Sequence, residues 1–420
     1  MIINILIFII GLVIYAGYGI AGLAYMAGAV LVTYFAGLLI KKHRWVMYVS
    51  VGLNVLMLLA VKLQPALGYE LIAPMGLSYF TLQIIAYNVD IYKDKHEPEK
   101  SLFRYALFVT YLPHLFVGPI EKYEVMHKNL FEDRKITWEG IFAGAARVMW
   151  GLFKKFVIAA RAGVIVSAIS ADAEQFSGAF ALLAVLMYSA QLYADFSGGI
   201  DMVLGVSQML GIKMSENFDA PYFAQSFKEF WRRWHITLGA FLREYVYIPL
   251  GGNRKGKVRQ VINTIITFLV SGLWHGVSYI FWGLFNGIFV SVGDRLKTKC
   301  KTLNRVCTFI LVSLLWAFFV WSDALTAMKM VGSIFTNFNY SALFANISAL
   351  GLNLGEWIVF FAGCIILWIY DMFKEKIWNK FRCLCPAGKL AVICSVGFVV
   401  LVFGMYGIGF NAEEFIYSRF

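Results

Sequence analysis

The run Val261-Ile262-Asn263-Thr264-Ile265-Ile266-Thr267-Phe268-Leu269-Val270 carries no charge and leads directly into Ser271-Gly272-Leu273-Trp274-His275-Gly276. Such a run is suited to an apolar surrounding, and it delivers a histidine into it. A polar ring buried there is costly unless it has a partner or a task. Gly272 and Gly276 flank the histidine and predict room for another helix or a substrate to approach the imidazole. Upstream stand Phe230-Trp231-Arg232-Arg233-Trp234-His235-Ile236-Thr237 and Tyr247-Ile248-Pro249-Leu250-Gly251-Gly252-Asn253-Arg254. On one helix Trp231, Trp234, His235 and Leu238 share a face, which predicts that His235 rides among aromatic rings. The competing reading is an interfacial anchor, with tryptophans at headgroup level and arginines toward water.

The rest of the chain explains that surrounding. Of 420 residues, 60% are apolar and 15% charged, whereas soluble domains carry about 25% charged residues. Apolar runs of roughly 18 to 25 residues recur from end to end, each able to cross a hydrocarbon core of about 30 Å. A spanning segment must satisfy its own backbone hydrogen bonds, and the short alternating segments of a β-barrel are absent. The fold class is therefore all-α and polytopic, with roughly ten to twelve membrane helices, some tilted or re-entrant. Residues 1–420 read as a single transmembrane domain, densest in motifs over 195–286.

In order, Ile2 to Ile40 reads as a hairpin of two spans and lacks a signal-peptide pattern. Trp45 to Val61 is the next span, and Pro74 opens a segment reaching Asp90. After the charged loop Lys93 to Lys100, Tyr105 to Ile120 is apolar but broken or kinked around Pro113. Glu121 to Glu139 reads as a membrane-surface segment. Ile141 to Ile169 follows, with Lys154 and Lys155 expected at an interface. Phe180 to Leu210 carries Asp195 and Asp201, two acids at membrane depth that need partners or a wet cavity. Pinning of helix ends is the plainer role for them, and binding or catalysis the sharper one. Tyr279 to Val292, Thr308 to Trp321, Trp357 to Met372 and Leu390 to Ile408 complete the spans, with a mixed stretch from Thr326 to Leu354.

The net charge of +12 sits in short loops such as Lys41-Lys42-His43-Arg44 and Arg254 to Arg259. That distribution fits the cytoplasmic face of a bilayer and not a nucleic-acid surface. Cys383 and Cys385 form a lone C-x-C without a second ligand pair, so no metal site is expected. The remaining cysteines read as packing residues. His43, His96 and His127 read as solvated loop residues, whereas His114 follows a proline inside an apolar run and is open to a functional role.

Tyr193-Ala194-Asp195-Phe196-Ser197-Gly198-Gly199-Ile200-Asp201-Met202 resembles the membrane-bound O-acyltransferase (MBOAT) family. So do Glu216-Asn217-Phe218, Glu229 to His235, Tyr247 to Arg254 and Gly272 to Gly276, and above all they resemble its bacterial alginate O-acetylation branch. Weaker matches are Pro74 to Thr81, Gly118-Pro119-Ile120 with Tyr123, and Phe415-Ile416-Tyr417. The resemblance implies a ring of helices around a central chamber, entered from the cytosol by an acyl donor. It implies that His275 and His235 are the catalytic histidines. Asp195, Asp201, Arg232, Arg233, Trp234, Asn253, Trp274 and Asn286 are the candidate substrate-binding residues.

Hydroxyl attack on a thioester needs a base, and a neutral imidazole supplies one. His275 is the expected general base, while orienting a substrate and relaying the proton are both open to His235. No cofactor is expected to stay bound. The acyl thioester, acetyl-CoA or acyl carrier protein, is the substrate. The implied partners are the bilayer, a cytosolic donor or carrier, and a separate extracytoplasmic acyltransferase or glycan acceptor, in a bacterial inner or plasma membrane. The expected reaction is O-acetylation of a cell-surface polysaccharide or cell-wall glycan. The alternatives are D-alanyl transfer toward teichoic acid and, in another class, a transporter or lipid flippase. Two departures from the family pattern remain. A short leader before Pro74 predicts a missing N-terminal segment, and the altered tail Ser418-Arg419-Phe420 predicts a different partner contact.

Overall fold

A computed structural model describes residues 2–69, 74–132, 134–293 and 297–406. The C-terminal motif Phe415-Ile416-Tyr417 and the tail after it lie outside the described residues. Among the described residues the regular structure is helical, apart from one isolated antiparallel bridge between Phe218 and Trp234. The chain is an all-α polytopic membrane protein. Six described helices are long and apolar enough to cross a membrane, and four shorter apolar helices, such as Ile2–Gly17 and Ala324–Thr336, accompany them. Many of the expected spans are thus partial.

The chain divides into two compact units, Met1–Gly144 with Val203–Glu216, and Ala145–Met202 with the residues from Asn217 onward. The first unit begins with α1 (Ile2–Gly17), α2 (Ile20–Ile40), α3 (Trp45–Leu67) and α4 (Leu77–Tyr92). It continues with α5 (Leu102–Thr110), α6 (Leu112–Val117) and α7 (Tyr123–Phe131). The predicted hairpin over 2–40 is present, turning at Tyr18 and Gly19. Helix α4 is buried over almost its whole length, so its polar side chains bond within the protein. Asn88 donates to Ser50 Oγ at 2.7 Å, and Lys95 donates to Asp90 at 2.6 Å. The predicted break before Pro113 falls at Tyr111, and the proline starts α6 because its missing N–H is not needed there.

One expectation fails in this unit, that for His96 and His127, and the segment Glu121 to Glu139, although mostly exposed or half-buried, departs from its reading at its first residue. Glu121 is buried, not at a membrane surface; its carboxylate accepts the Ser215 N–H at 2.5 Å and the Ser215 hydroxyl at 3.0 Å. His96 and His127 are half-buried, not solvated. Both rings pack on Tyr123, and His127 Nε2 lies 3.3 Å from Glu99. Only His43 is exposed as expected of the three.

The second unit takes the C-terminal part of α8 (Trp138–Phe153), then the π-helical turn Lys154–Ala159 and α9 (Ala160–Ser170). Most of α10 (Ala179–Met209) belongs to it, followed by the short helices α11 (Phe227–Arg233) and α12 (Ile236–Leu242). Next come α13 (Lys257–His275), α14 (Ile280–Val292), α15 (Lys301–Leu315), α16 (Ala317–Val320), α17 (Ala324–Thr336) and α18 (Tyr340–Asn346). The unit closes with α19 (Leu354–Cys383) and α20 (Pro386–Phe403). The cysteines read as packing residues lie in or beside helices, Cys300 and Cys307 at α15, Cys364 in α19 and Cys394 in α20, but of these only Cys364 is even half-buried. Five are exposed and Cys364 is half-buried, all as free thiols.

Glycines decide how closely these helices approach. A Cβ on Gly151 of α8 would sit 2.5 Å from the Gly198 carbonyl oxygen of α10, so only hydrogen fits between the two backbones. Gly287 of α14 lies against Ile265 of α13, where a Cβ would come within 2.8 Å of the isoleucine Cα. Gly363 of α19 likewise seats Ile158 of the π-helical turn. Gly151→Leu is expected to lower stability by about 1–3 kcal/mol or more, because a backbone, not a flexible side chain, must retreat. Thermal unfolding of the purified protein in detergent measures this, with Gly332→Leu as control, since no neighbour lies within 4 Å of a Cβ there.

Candidate active site

His235 does not lie on a continuous helix. Helix α11 ends at Arg233, Trp234 is extended, and His235 adopts φ 46°, ψ 54° before α12 begins. The predicted common face of Trp231, Trp234, His235 and Leu238 therefore does not form. The cause is the segment Asn217 to Asp219. The Ile236 N–H donates to the Asn217 carbonyl at 3.0 Å, and the Asp219 N–H donates to the Arg233 carbonyl at 3.0 Å. These bonds draw residues 234–235 out of helix and into the bridge. A left-handed conformation in a residue with a Cβ costs on the order of 1–3 kcal/mol and persists where its surroundings fix it.

Those surroundings are specific. Asn217 is fully buried, and its Oδ1 accepts the Thr237 N–H and hydroxyl, each at 3.0 Å. The same oxygen lies 3.3 Å from His235 Nδ1. With an amide oxygen as neighbour, Nδ1 carries the proton and Nε2 is the basic nitrogen. The imidazole meets Phe196 edge-on at 4.9 Å and Trp274 at 6.2 Å. Burial pushes its pKa down from 6.5 to about 3, so the ring is neutral at ordinary pH.

His275 is the last residue of α13, buried as expected. Its neighbouring glycines serve one of the two ends predicted, the close approach of another helix: a Cβ on Gly272 would lie 3.4 Å from the Cα of Ile280, which opens α14. A Cβ on Gly272 would lie 2.5 Å from the Tyr279 carbonyl oxygen, and Gly276 takes φ 147° beneath the Tyr279 ring. The space beside the histidine is used by the chain's own 3₁₀ turn, Val277–Tyr279. His275 is walled by Trp274 at 4.6 Å, Phe319 at 5.5 Å, Trp282 at 5.6 Å and Tyr279 at 6.3 Å. Trp274 thus meets both histidine rings. Asn286 is buried and accepts the Trp231 indole N–H at 3.1 Å, which steadies an indole packed on Trp282 at 5.4 Å.

Asp195 and Asp201 are held by the lysines of the π-helical turn. Lys155 Nζ donates to Asp195 at 2.6 Å, while Lys154 Nζ donates to Asp201 at 2.6 Å and to the Ser197 hydroxyl at 2.8 Å. Arg147 adds a second bond to Asp201 at 2.8 Å. Both lysines are buried, so the expectation that they mark an interface is wrong. The extra residue of a π turn lets two consecutive lysines reach two different acids of α10. Nearby, the Tyr193 hydroxyl donates to Asp371 of α19 at 2.6 Å.

Of the remaining candidates, Trp234 packs on Phe196 and Tyr193. Trp234 is buried in a cluster with Phe218, Phe230 and Trp316. Arg233 donates to Glu229 at 2.8 Å, whereas Arg232 and Asn253 are exposed. The turn that carries Asn253 is fixed by Asn263, which donates to the Gly252 carbonyl at 2.9 Å. Sequence reading quoted Phe196 and Asn217 within family-like motifs without giving either a role at His235, and it passed over Asp371. The motif Glu216-Asn217-Phe218 points to the family but not to what the asparagine does. Its role follows only from the bridge. Among the described residues no cluster of His, Cys, Asp and Glu has the makings of a metal site.

The model of the membrane-bound O-acyltransferase family matches residues 77–321. The chain is 34% identical over 402 residues to "Probable alginate O-acetylase AlgI" of Pseudomonas fluorescens, covering 91% of this chain and 81% of that protein. It is 37% identical over 299 residues to the peptidoglycan O-acetyltransferase of Helicobacter pylori, covering 62% of this chain and 56% of that protein. A teichoic acid D-alanyltransferase of Streptococcus thermophilus is 30% identical over 282 residues, covering 63% of this chain and 68% of that protein.

Lys155→Met leaves a buried carboxylate without its ammonium partner and is expected to cost about 3–5 kcal/mol. Lys155→Met combined with Asp195→Leu should recover much of that loss, which unfolding of the two variants in one detergent will show. His235 yields a pH test. Its folded pKa lies below the unfolded value of 6.5, so stability drawn from the neutral ring is complete above that pH and is lost as pH falls toward about 3. Wild type should therefore lose stability relative to His235→Gln below pH 6.5, by at most about 1.4 kcal/mol per pH unit. Parallel unfolding curves between about pH 8 and about pH 5 would contradict a neutral buried ring.

Proposed function

The chain belongs to the membrane-bound O-acyltransferase family, and we propose that this multi-pass enzyme moves acetyl groups from a cytosolic thioester toward hydroxyls of a cell-surface glycan. The observation that carries the reading is the pair of buried histidines, His235 and His275, both packed on the Trp274 ring. The likeness to alginate O-acetylase extends over nine-tenths of the chain, and that to teichoic acid D-alanyltransferase over 63%. This favours acetyl over D-alanyl as the group transferred. A polysaccharide or peptidoglycan acceptor is favoured by the relatives' names. A bacterial inner membrane, a donor of the acetyl-CoA or acyl-carrier type, and a separate extracytoplasmic transferase that receives the group complete the proposal.

In the proposed step the imidazole of His275 takes the proton of the attacking hydroxyl as the new carbon–oxygen bond forms. The carbon–sulfur bond then breaks, and the thiolate leaves and recovers a proton from the imidazolium. General-base assistance of this kind is worth about 10²–10⁴-fold. The ring needs no cofactor for this, only a fixed direction, and its aromatic wall excludes water that would hydrolyse the thioester. His235 keeps Nδ1 toward Asn217, which fixes its tautomer and ring direction and suits it to orienting a substrate hydroxyl. A transporter would use such histidines as gates. The matched family and the buried aromatic setting of both rings favour transfer chemistry.

His275→Ala, at matched membrane expression, is expected to lower the ester content of surface glycans by about 10²–10⁴ in rate. Base hydrolysis and identification of the released acid then separate acetate from D-alanine. Unchanged esters, with the wild type shown to install them, would remove His275 from the base role.

A further inference from the structure

The transfer chemistry makes no use of Arg254, Lys255, Lys257 and Arg259, which crowd the turn before α13. All four are exposed, and among the described residues none of them forms an ion pair. The acids nearest to them in sequence are Glu244 and Asp294. The turn has a fixed form. The Gly252 N–H donates to the Tyr247 carbonyl at 3.0 Å, and the Arg254 N–H donates to the Gly251 carbonyl at 3.2 Å. Gly251, at φ 106°, lets the stem of Lys255 lie over its backbone, 3.3 Å from where a Cβ would stand. The cations are therefore carried on an ordered and open surface.

The chain that follows tells where this surface sits. Between Arg259 and Asp294 there is no Lys, Arg, Asp or Glu, a stretch that takes in most of α13 and all of α14. Val258 is 76% exposed and Ile262 42% exposed, and four residues apart they share one face of α13. In a membrane protein, bulky apolar side chains left bare along such a face meet hydrocarbon and not water. That face begins at Val258, among the cations themselves. The cations thus stand at headgroup depth, where the chain enters the bilayer.

We propose that this turn is a binding surface for anionic phospholipid, with Arg254, Lys255, Lys257 and Arg259 holding the headgroup phosphate and Val258 and Ile262 resting on the acyl chains. The inference goes beyond the transferase reading and does not depend on it. A phosphodiester offers only acceptors, which match guanidinium and ammonium groups that have no carboxylate of their own. A zwitterionic headgroup brings its own ammonium to the same place, so the net-negative lipid is selected. An acidic protein would also satisfy the cations. The bare face of α13 that starts between them is continuous with the bilayer, and this favours lipid.

The test uses the whole protein in uncharged detergent, titrated with dioctanoyl phosphatidylglycerol or dioctanoyl phosphatidylcholine, with bound lipid counted by native mass spectrometry. Wild type should bind the phosphatidylglycerol more tightly. Lys255→Gln combined with Lys257→Gln should lower that affinity by about fivefold for each charge removed and leave phosphatidylcholine binding unchanged. Lys255→Arg combined with Lys257→Arg should retain it, which separates lost charge from a damaged turn. Lys41→Gln combined with Arg44→Gln removes equal charge from exposed residues already paired with Glu97 and Asp94, and should leave the affinity as it was. Equal affinity of wild type for the two lipids overturns the proposal. So does unchanged phosphatidylglycerol binding in the glutamine variant, an equal loss in the arginine variant, or an equal loss in the Lys41 and Arg44 control. If the glutamine variant keeps its phosphatidylglycerol but loses binding of a purified acyl carrier protein, the surface belongs to a carrier and the proposal falls. Loss of surface esters in His275→Ala has no bearing on any of these results.

Discussion

An ammonium group taken out of water must meet its counter-charge at hydrogen-bond distance, or the fold that buries it will not hold. In the second unit that constraint falls on Lys154 and Lys155, consecutive in sequence and both buried. Their partners, Asp201 and Asp195, are six residues apart on α10, and the π turn supplies the backbone geometry that lets both pairs close at 2.6 Å. Between the two acids lie Phe196, on which His235 rests, and Ser197, which accepts from Lys154. The ion pairs therefore bracket the turn of α10 that supports one of the two histidines. Gly151 and Gly198 make the approach of α8 to α10 close enough for short lysine bonds. Packing and charge here depend on one another: a wider helix spacing would break the pairs, and broken pairs would leave nothing to hold charge at that depth.

Much of the helical order was legible because membrane solvent writes a simple signal. An uncharged run long enough to cross a bilayer has little choice but helix. The hairpin over the first 40 residues, the break before Pro113 and the helix ending at His275 all follow from that rule and from proline's missing N–H. Failures cluster where a polar residue's partner lies far along the chain. Glu121 looked like surface because nothing near it in sequence says that Ser215 will cover it. Lys154 and Lys155 looked interfacial because lysine usually is, and their acids lie some 40 residues on. Hydropathy reports the average solvent of a segment and is silent about which charge will be paired.

The site shows the same division. His275 was legible, since a histidine at the end of an apolar run must be buried. The setting of His235 was not, because helical periodicity assumes a continuous helix, and a bridge to Phe218 interrupts this one. Two stretches that each read as helix or loop alone become something else when paired, a tertiary effect that local propensity cannot anticipate. The glycines around His275 carried a true signal of close approach. What approaches is the carbonyl of Tyr279, not a foreign molecule.

The two histidines are consequently supported by different means, and the difference bears on how labour would be divided between them. His275 ends a long helix and is fixed by a positive-φ glycine and four aromatic rings. His235 is set by its own strained backbone and by Asn217, whose oxygen lies at Nδ1 and so dictates which nitrogen is basic. A base that must take and return a proton gains from a wall that fixes the ring yet lets its charge change. A group that orients a hydroxyl gains from one fixed tautomer. On that physical ground the proposed assignment, proton transfer at His275 and orientation at His235, matches each residue to the support the fold gives it.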